Sequence, residues 1–104
     1  MTEQAGYKIV LTDDVKPETQ QEYYQFVMGQ YVPTIQSMGF QMSEAWHTAY
    51  GNAPNRLIGF VCRSRQTMDN LLDNEEWLEL NEQLDQFVTN FSYKVMPYKQ
   101  GFQI

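Results

Sequence analysis

The order in which two kinds of apolar periodicity alternate along the chain is the feature that most restricts its fold. Apolar side chains occupy every second position at Tyr7, Ile9 and Leu11, which is typical of a half-buried strand. From Lys16 onward the apolar spacing changes to three and four residues, which is typical of a helix with one apolar face. Two further alternating segments, a second helical segment and a last alternating segment follow. The predicted order is therefore β-α-β-β-α-β.

The first helix is predicted to begin near Lys16. Asp13 and Asp14 offer side chains of the helix-capping type, and Pro17 suits an early helical position because its missing N–H would be unpaired there. Pro33 removes a backbone hydrogen bond further along, so an irregular turn is expected inside a single helix. The stripe predicted to face the core consists of Tyr24, Val27, Met28, Tyr31, Ile35 and Met38.

The middle of the chain is predicted to form a β-hairpin. Its first strand spans residues 40–50, and the sequence GNAPN at 51–55 is dense in turn formers. The apolar side chains that share one parity in the first strand are Phe40, Met42, Trp46 and Tyr50. The second strand is apolar on both parities, through Leu57, Ile58, Phe60 and Val61.

The last third of the chain is predicted to hold the second helix and the last strand. A short helical stretch around Gln66 to Leu72 comes first, and Asp73 and Glu76 then have the spacing of a capping box. The apolar stripe of the main helix consists of Trp77, Leu80, Leu84, Phe87, Val88 and Phe91. The alternating residues that predict the last strand are Met96, Tyr98, Phe102 and Ile104, with a bulge expected at Gly101.

These elements predict a single α+β domain over residues 1–104, with the ferredoxin-like order and an antiparallel four-stranded sheet. Two helices cover only one face of such a sheet, yet the second hairpin strand is apolar on both faces. A chain of 104 residues also buries only about 60 to 68% of its unfolded surface. We therefore expect a homodimer in which a second subunit covers the other face.

Charge and cysteine content exclude several classes of partner. Seven Lys and Arg against thirteen Asp and Glu give a net charge of −6, the wrong sign for a nucleic-acid backbone or an anionic membrane surface. The single cysteine, Cys62, cannot form an internal disulfide, and the single histidine, His47, cannot complete the usual zinc set. There is no basic leader and no apolar run that would span a bilayer, so we expect a cytoplasmic protein. The cysteine and histidine counts lead us to expect no metal site, with a site built from carboxylates as the alternative.

His47 and Glu44 are the candidate catalytic residues. His47 is the only side chain whose ordinary pKa lies near neutral, so any imidazole acid or base must be this one; a structural or solvent-facing role is the alternative. Glu44 is a carboxylate on the otherwise apolar parity of its strand, where burial would raise its pKa. An ion pair with Arg63, Arg65 or a partner chain is the alternative for Glu44.

The expected hairpin register places open space beside the histidine. If residues 51–55 form a five-residue loop, Tyr50 pairs with Arg56, and His47 then lies opposite Gly59, which has no side chain to fill the site. The other pairs in this register are Trp46 with Phe60 and Glu44 with Cys62. A slip of one residue would change all of these pairs.

The aromatic content favours a pocket for an apolar or aromatic ligand. Seven tyrosines and two tryptophans offer flat apolar walls with polar tips. Ordinary core packing is the alternative interpretation of the same residues. The predicted ligand-binding residues are Trp46, Tyr31, Tyr24, Gly59 and Phe60.

Three segments carry a family resemblance: YVPTIQSMG in the first helix, GFQMSEAWHTAYG in the second strand, and DNEEWLELNEQLDQF before the last strand. Together with the element order, they resemble the dimeric α/β-barrel superfamily. The pattern is most similar to NIPSNAP-type domains, with antibiotic-biosynthesis monooxygenase-like and stress-responsive barrel domains as neighbours. The resemblance implies two ferredoxin-like subunits joined through their sheets, often with a small-molecule cavity between sheet and helices.

The resemblance implies no single reaction. Haem-degrading members use an Asn from the first strand and a Trp and a His from the second helix, but residues 7–14 contain no Asn and residues 66–91 contain no His. We therefore expect no cofactor. Three functions stay open: binding of a small apolar or aromatic molecule, cofactor-independent monooxygenase or isomerase chemistry on an aromatic or polyketide-like substrate, and a non-catalytic dimerisation module.

Overall fold

The computed structural model describes residues 5–47 and 55–99. The strands are β1 (Ala5–Val15), β2 (Gln41–His47), β3 (Arg56–Cys62) and β4 (Val88–Lys99). The helices are α1 (Gln20–Phe26), α2 (Val32–Ser37), α3 (Arg65–Leu72) and α4 (Glu75–Leu84). A 3-10 turn (Pro17–Thr19) precedes α1, and a π turn (Val27–Tyr31) joins α1 to α2. The strands form one antiparallel sheet in the order β2-β3-β1-β4, so the predicted α+β ferredoxin-like fold is confirmed.

The core lies between the helices and one face of the sheet. Ile9 of β1 pairs with Phe60 of β3 and with Val95 of β4, and both Ile9 and Phe60 are fully buried. Trp77 of α4 is also fully buried, and its ring meets that of Tyr93 edge to face at 5.4 Å between centroids. Alternate residues of each strand face opposite sides, so the paired residues Ile9, Phe60 and Val95 identify the helix-covered face.

Asp13 and Asp14 do not cap the first helix. They lie inside β1, which extends to Val15 because Asp13 pairs with Arg56 of β3 and Asp14 pairs with Thr89 of β4. The helical segment begins instead at the 3-10 turn. The capping interpretation was therefore wrong, because pairing on both sides outweighs the capping preference of aspartate.

The first helical segment continues from α1 through the π turn into α2, with Pro33 in the first turn of α2. The irregular turn expected near Pro33 is therefore present, directly before α2. The predicted stripe was wrong near its start, because the core takes Tyr23 whereas Tyr24 and Met28 stay 41% and 59% exposed. The turn at Val27–Tyr31 holds more residues than an α-helical turn. Side chains before and after it therefore do not follow the single spacing of three and four residues that was assumed for the stripe.

The main second helix begins one residue later than the capping box predicts. Asn74 is its N-cap, and its side-chain Oδ1 accepts a hydrogen bond of 2.8 Å from the backbone N–H of Trp77. Asp73 instead ends α3. Helix α4 ends at Leu84, so the stripe predicted to run on through Val88 and Phe91 was wrong, because both residues belong to β4.

The predicted hairpin register and parity were wrong. His47 pairs with Arg56, Trp46 with Leu57, and Glu44 with Gly59. The register shifts at Ser43, between Met42 and Glu44. A bulge inserts one unpaired residue, so the side chains beyond it change faces. Met42 therefore shares the helix-covered face with Phe60, whereas Glu44 and Trp46 lie on the opposite face.

The parts of the hairpin turn and last strand that fall at 48–54 and 100–104 lie outside the described residues. These include the predicted pairing of Tyr50, the bulge at Gly101, and the alternation at Phe102 and Ile104. The described part of the last strand starts earlier than predicted, at Val88.

The face of the sheet away from the helices mixes apolar and charged groups. Lys8 of β1 crosses to Glu44 of β2, with 2.7 Å between Nζ and Oε1. Thr12 and Ser92 share a hydrogen bond of 3.2 Å on the same face. The apolar side chains that the register places there are Val10, Trp46, Leu57, Val61, Met96 and Tyr98.

Candidate functional site

An open cleft of about 380 Å³ lies between the first helical segment and the paired ends of β2 and β3. The bulge at Ser43 lies directly after Met42, which lines the cleft on the sheet side. Tyr24 and Met28, which are exposed, line it on the helix side. The lining residues are Tyr24, Val27, Met28, Met42, Ala45, Trp46, His47, Arg56, Leu57 and Ile58. The lining is therefore apolar and aromatic, with a histidine and an arginine as its basic groups.

Arg56 is fixed by two tyrosines of α1. Its guanidinium carbon lies 4.4 Å from the ring centroid of Tyr24 and 5.1 Å from that of Tyr23, which is cation–π geometry. One guanidinium nitrogen also donates a hydrogen bond to Oη of Tyr24. Burial acts to lower the pKa of Arg56, but this hydrogen bond and the two tyrosines outweigh burial and raise it. The side chain is a held cation at the cleft wall.

A second, enclosed void of about 10 Å³ lies behind Arg56. Its lining residues are Leu11, Asp13, Tyr23, Val27, Tyr31, Arg56, Ile58, Leu84 and Phe91. Arg56, Val27 and Ile58 line both the void and the cleft, so they form the wall between the two. The void matches the roughly 10 to 15 Å³ that one water molecule requires.

Asp13 is the buried carboxylate of this void. Its residue is only 5% exposed, and its Oδ1 has no hydrogen-bond partner within residues 5–47 and 55–99. Strand β4 is irregular opposite Asp13, where Asn90 has a φ of 58°. Thr12 pairs with Ser92, but Asp14 pairs with Thr89, so the register shifts at Asp13. Bulges of this kind frequently lie beside functional sites, where they redirect a side chain.

The surroundings of Asp13 change its protonation. Burial raises the pKa of its carboxyl to about 7, Arg56 partly opposes the rise, and the neighbouring Asp14 adds to it. Burial, followed by the charge of Asp13, raises the pKa of Tyr23 to about 12. Burial likewise raises the pKa of Tyr31 well above the ordinary tyrosine value. Asp13 therefore titrates near neutral pH while the tyrosines beside it stay protonated.

Three strands bring their polar side chains into one row. Asp13 of β1 pairs with Arg56 of β3, and Arg56 pairs with His47 of β2. Directly paired residues of neighbouring antiparallel strands have their side chains on the same face. The row runs from the enclosed void to the open cleft, with the cation in its middle.

Tyr31 belongs to a buried hydrogen-bond network beside the void. The indole Nε1 of Trp77 donates to Oη of Tyr31 at 3.1 Å, and that hydroxyl donates to Oδ1 of Asn81 at 2.5 Å. These two bonds connect the π turn with α4. Tyr31 is 3% exposed and lines the void. The two hydrogen bonds of its hydroxyl therefore hold this part of the wall in place.

The structure brings together only some of the residues predicted from sequence. His47 and Tyr24 line the cleft, Trp46 borders it from the opposite face of the edge strand β2, and Tyr31 lines the void. The other three predicted residues lie elsewhere: Glu44 pairs with Lys8 on the opposite face, Gly59 packs against Glu44, and Phe60 is in the core. The space expected beside His47 at Gly59 is therefore absent, because Glu44 lies opposite that glycine.

Asp13 and Arg56 are the two polar residues of the site that the sequence reasoning missed. A signal for Asp13 was present, since it continues the buried parity of Ile9 and Leu11 and precedes the buried Val15. A carboxylate at such a position indicates a buried charge. Arg56 gave no comparable signal, because an arginine beside a predicted turn is usually solvated.

Comparison with solved structures places the fold among known proteins. A NIPSNAP family protein from Agrobacterium tumefaciens matches with a TM-score of 0.65 at 13% identity, covering 99% of this chain and 92% of that chain. A putative antibiotic biosynthesis monooxygenase from Nitrosomonas europaea matches with a TM-score of 0.66 at 13% identity, covering 98% and 95%. An uncharacterized NIPSNAP-like domain protein from Burkholderia xenovorans matches with a TM-score of 0.62 at 16% identity, covering 97% and 90%.

The resemblance to NIPSNAP-type and antibiotic-biosynthesis monooxygenase-like proteins is therefore confirmed at the level of the fold. No protein-family profile matches the chain, and no curated protein matches it significantly. Across 5–47 and 55–99, none of the helices has the length and apolar character needed to cross a membrane.

Proposed function

We propose that the protein binds a small molecule with an aromatic or apolar body and a polar group directed at Arg56. The observation that carries this proposal is the open cleft, whose volume of about 380 Å³ falls within the roughly 300 to 1,000 Å³ of ordinary ligand pockets. Its apolar walls and its pair of basic side chains match the usual composition of such sites. The reaction, if the ligand is a substrate, is left unassigned by this proposal.

We further propose that the working unit is a homodimer formed through the helix-free face of the sheet. Helices cover only one face, and the other bears several apolar side chains together with Trp46, which is 45% exposed. The Lys8–Glu44 ion pair neutralises two of the charged groups on that face, which also carries Lys94 opposite Val10. A second subunit would remove the apolar side chains from water, which favours association.

Cofactor-independent monooxygenase or isomerase chemistry is the second candidate function. It is favoured by the exposed His47 at the cleft and by the name of the matching Nitrosomonas europaea protein, a putative antibiotic biosynthesis monooxygenase. The predicted partnership of His47 with Glu44 gains no support, because Glu44 lies on the other face. A pure dimerisation module, the third candidate, gives no role to the cleft.

Filling the cleft tests the binding proposal. Ala45 lines the cleft and is exposed on β2, so Ala45→Trp introduces a large ring into the cleft. We expect this variant to weaken binding of 2-tetralone, an aromatic ketone, by about ten-fold or more, or about 1.4 kcal/mol. The measurement is a titration followed by saturation-transfer NMR on the ligand signals.

Gln36→Trp is the matched control, because it adds the same ring at an exposed position on α2. The control variant is expected to bind like the unchanged protein. Equal affinity in Ala45→Trp and Gln36→Trp would mean that the cleft is not the binding site.

A further inference from the structure

The described lining of the cleft carries basic side chains and no acidic ones. His47 and Arg56 belong to it, whereas Asp and Glu are missing from it, although the whole chain has a net charge of −6. The sequence at 48–54, which joins β2 to β3, has no acidic residue either. Glu44 of β2 lies on the opposite face and is paired with Lys8. A site lined in this way attracts an anion.

Arg56 is a cation without a carboxylate partner in the described part of the chain, since neither ion pair found there includes it. The rings of Tyr23 and Tyr24 and the hydroxyl of Tyr24 hold the guanidinium in place instead. A guanidinium is planar and has five N–H donors, which match the two oxygens of a carboxylate. Because the rest of the lining is largely apolar and aromatic, the anion that fits best is a carboxylate on an apolar or aromatic body.

Asp13 lies behind Arg56, on the side away from the cleft. The two residues pair across β1 and β3 and both line the enclosed void, but Asp13 is not part of the cleft lining. A ligand in the cleft therefore does not touch Asp13. It still experiences the charge of Asp13, because charges interact over several ångströms and most strongly where water is excluded. Arg56 in turn lowers the pKa of Asp13, so the charges of these two residues are coupled.

We propose that the cleft binds an amphipathic carboxylate at Arg56 and that it binds this anion together with a proton on Asp13. With the proton on Asp13, the full positive charge of Arg56 is available to the ligand. Once Asp13 ionises, its negative charge offsets part of the field of the arginine and opposes the anion. Binding on one side of Arg56 and protonation on the other each favour the other by the same factor. The inference rests on the proposed function, because it requires a ligand in the cleft.

The groups packed around Asp13 let it change charge near neutral pH. Burial raises the pKa of its carboxyl to about 7. The two phenols that line the void stay protonated at this pH, because burial raises their pKa values as well. The groups from each element are Arg56 on β3, which opposes the rise, Asp14 on β1, which adds to it, Tyr23 on α1, Tyr31 in the π turn, and the apolar Leu84 of α4 and Phe91 of β4. His47 of β2 lies beside Arg56, one strand further from Asp13.

Two ligands of the same shape test the preference for a carboxylate. 2-Naphthoate is ionised at neutral pH, and 2-naphthamide is its uncharged counterpart. At about pH 6 we expect naphthoate to bind at least about ten-fold more tightly than the amide in isothermal titration calorimetry. Arg56→Gln is expected to remove this preference and to keep the binding of the amide, which reports an intact cleft. Equal affinity of the unchanged protein for the two ligands overturns the proposal.

The pH dependence tests the proton on Asp13. Between about pH 6 and about pH 8 we expect the affinity for naphthoate to fall by about three-fold or more, whereas the affinity for the amide stays constant. Calorimetry near pH 7 in two buffers of different ionisation enthalpy should show that part of a proton is taken up as naphthoate binds. In Asp13→Asn, most of the pH dependence and most of the proton uptake are expected to disappear.

Two control variants locate the proton. His47→Gln removes the imidazole of the cleft and is expected to weaken naphthoate binding but to keep most of the proton uptake. Glu79→Gln makes the same acid-to-amide change as Asp13→Asn at an exposed position of α4 outside both linings, and it is expected to keep all of the uptake. If His47→Gln loses the uptake and Asp13→Asn retains it, the proton goes to the histidine and the proposal is overturned.

Failure of this inference and failure of the proposed function give different results. Binding without a preference for the carboxylate, or with that preference but without proton uptake, overturns the inference and leaves the ligand site intact. If the unchanged protein binds none of naphthoate, naphthamide and 2-tetralone, the proposed function is contradicted and this inference with it.

Discussion

Asp13→Asn is expected to stabilise the folded protein by about 2 to 4 kcal/mol at about pH 8. Burial raises the pKa of Asp13 from 3.8 to about 7, so above neutral pH the folded protein holds an ionised carboxylate in an enclosed void. That rise corresponds to a penalty on the order of 4 kcal/mol, since each pKa unit is worth about 1.4 kcal/mol. Asparagine has nearly the same shape and cannot ionise, so the penalty disappears.

The sign of the pH dependence follows from the same shift. Between pH 3.8 and about 7 the folded protein holds the Asp13 proton and the unfolded chain releases it, so stability falls as pH rises through this window. The difference in unfolding free energy between the Asp13→Asn variant and the unchanged protein is expected to be small near pH 4. It should grow to its full value above pH 7. Urea unfolding at several pH values measures it.

The neighbouring carboxylate provides a control of opposite sign. Asp14 accepts hydrogen bonds of 2.9 Å from the backbone N–H of Asn55 and from the side chain of Asn90. Asp14→Asn loses one of these acceptors and is expected to destabilise the fold by about 1 to 2 kcal/mol. If Asp13→Asn also destabilised the protein at about pH 8, the carboxylate would be satisfied in solution, and its assignment as a strained buried acid would be wrong.

Trp77→Ala is expected to destabilise the protein by about 3 to 5 kcal/mol. The indole is fully buried, contacts the ring of Tyr93 and donates to Tyr31. Its removal leaves a large cavity beside the core and takes away the donor that fixes the Tyr31 hydroxyl. Because small domains have only about 5 to 15 kcal/mol of stability, thermal unfolding should show a large fall in midpoint.

Leu78→Ala is the matched control for Trp77→Ala, because Leu78 is the next residue of α4 and is 46% exposed. It is expected to cost less than about 1 kcal/mol. Trp77→Phe keeps most of the ring volume and should fall between the two variants if Trp77→Ala does not fold. Equal stability of Trp77→Ala and Leu78→Ala would contradict the placement of α4 on the sheet.

The fold could be predicted from sequence because its elements follow from local apolar spacing. The alternation at Tyr7, Ile9 and Leu11 and the stripe at Trp77, Leu80 and Leu84 each survive in the structure. Hairpin register could not be predicted, because the bulge at Ser43 has no signal in local spacing and changes which face Trp46 occupies. The ends of elements were likewise set by tertiary pairing.

The candidate site was predictable only in part for the same reason. His47, Trp46 and Tyr24 were chosen for their chemistry, and they do line or border the cleft. Glu44 was chosen from the parity of its strand, and the bulge places it on the opposite face; Gly59 was chosen from an assumed register, but it pairs with Glu44 rather than with His47. To predict that Asp13 belongs to the site, one would have to know that β1 extends beyond Thr12 and that β4 is irregular opposite Asp13. Burial of a charge depends on contacts from distant segments, which spacing does not reveal.

Native mass spectrometry of gently purified protein tests the central claim most directly, because one spectrum reports both subunit number and any retained small molecule. We expect a dimer that carries added mass, and release of that mass should yield a compound with an aromatic or apolar body. A bare monomer that also gains no mass when 2-tetralone is added would contradict both the dimer and the ligand site.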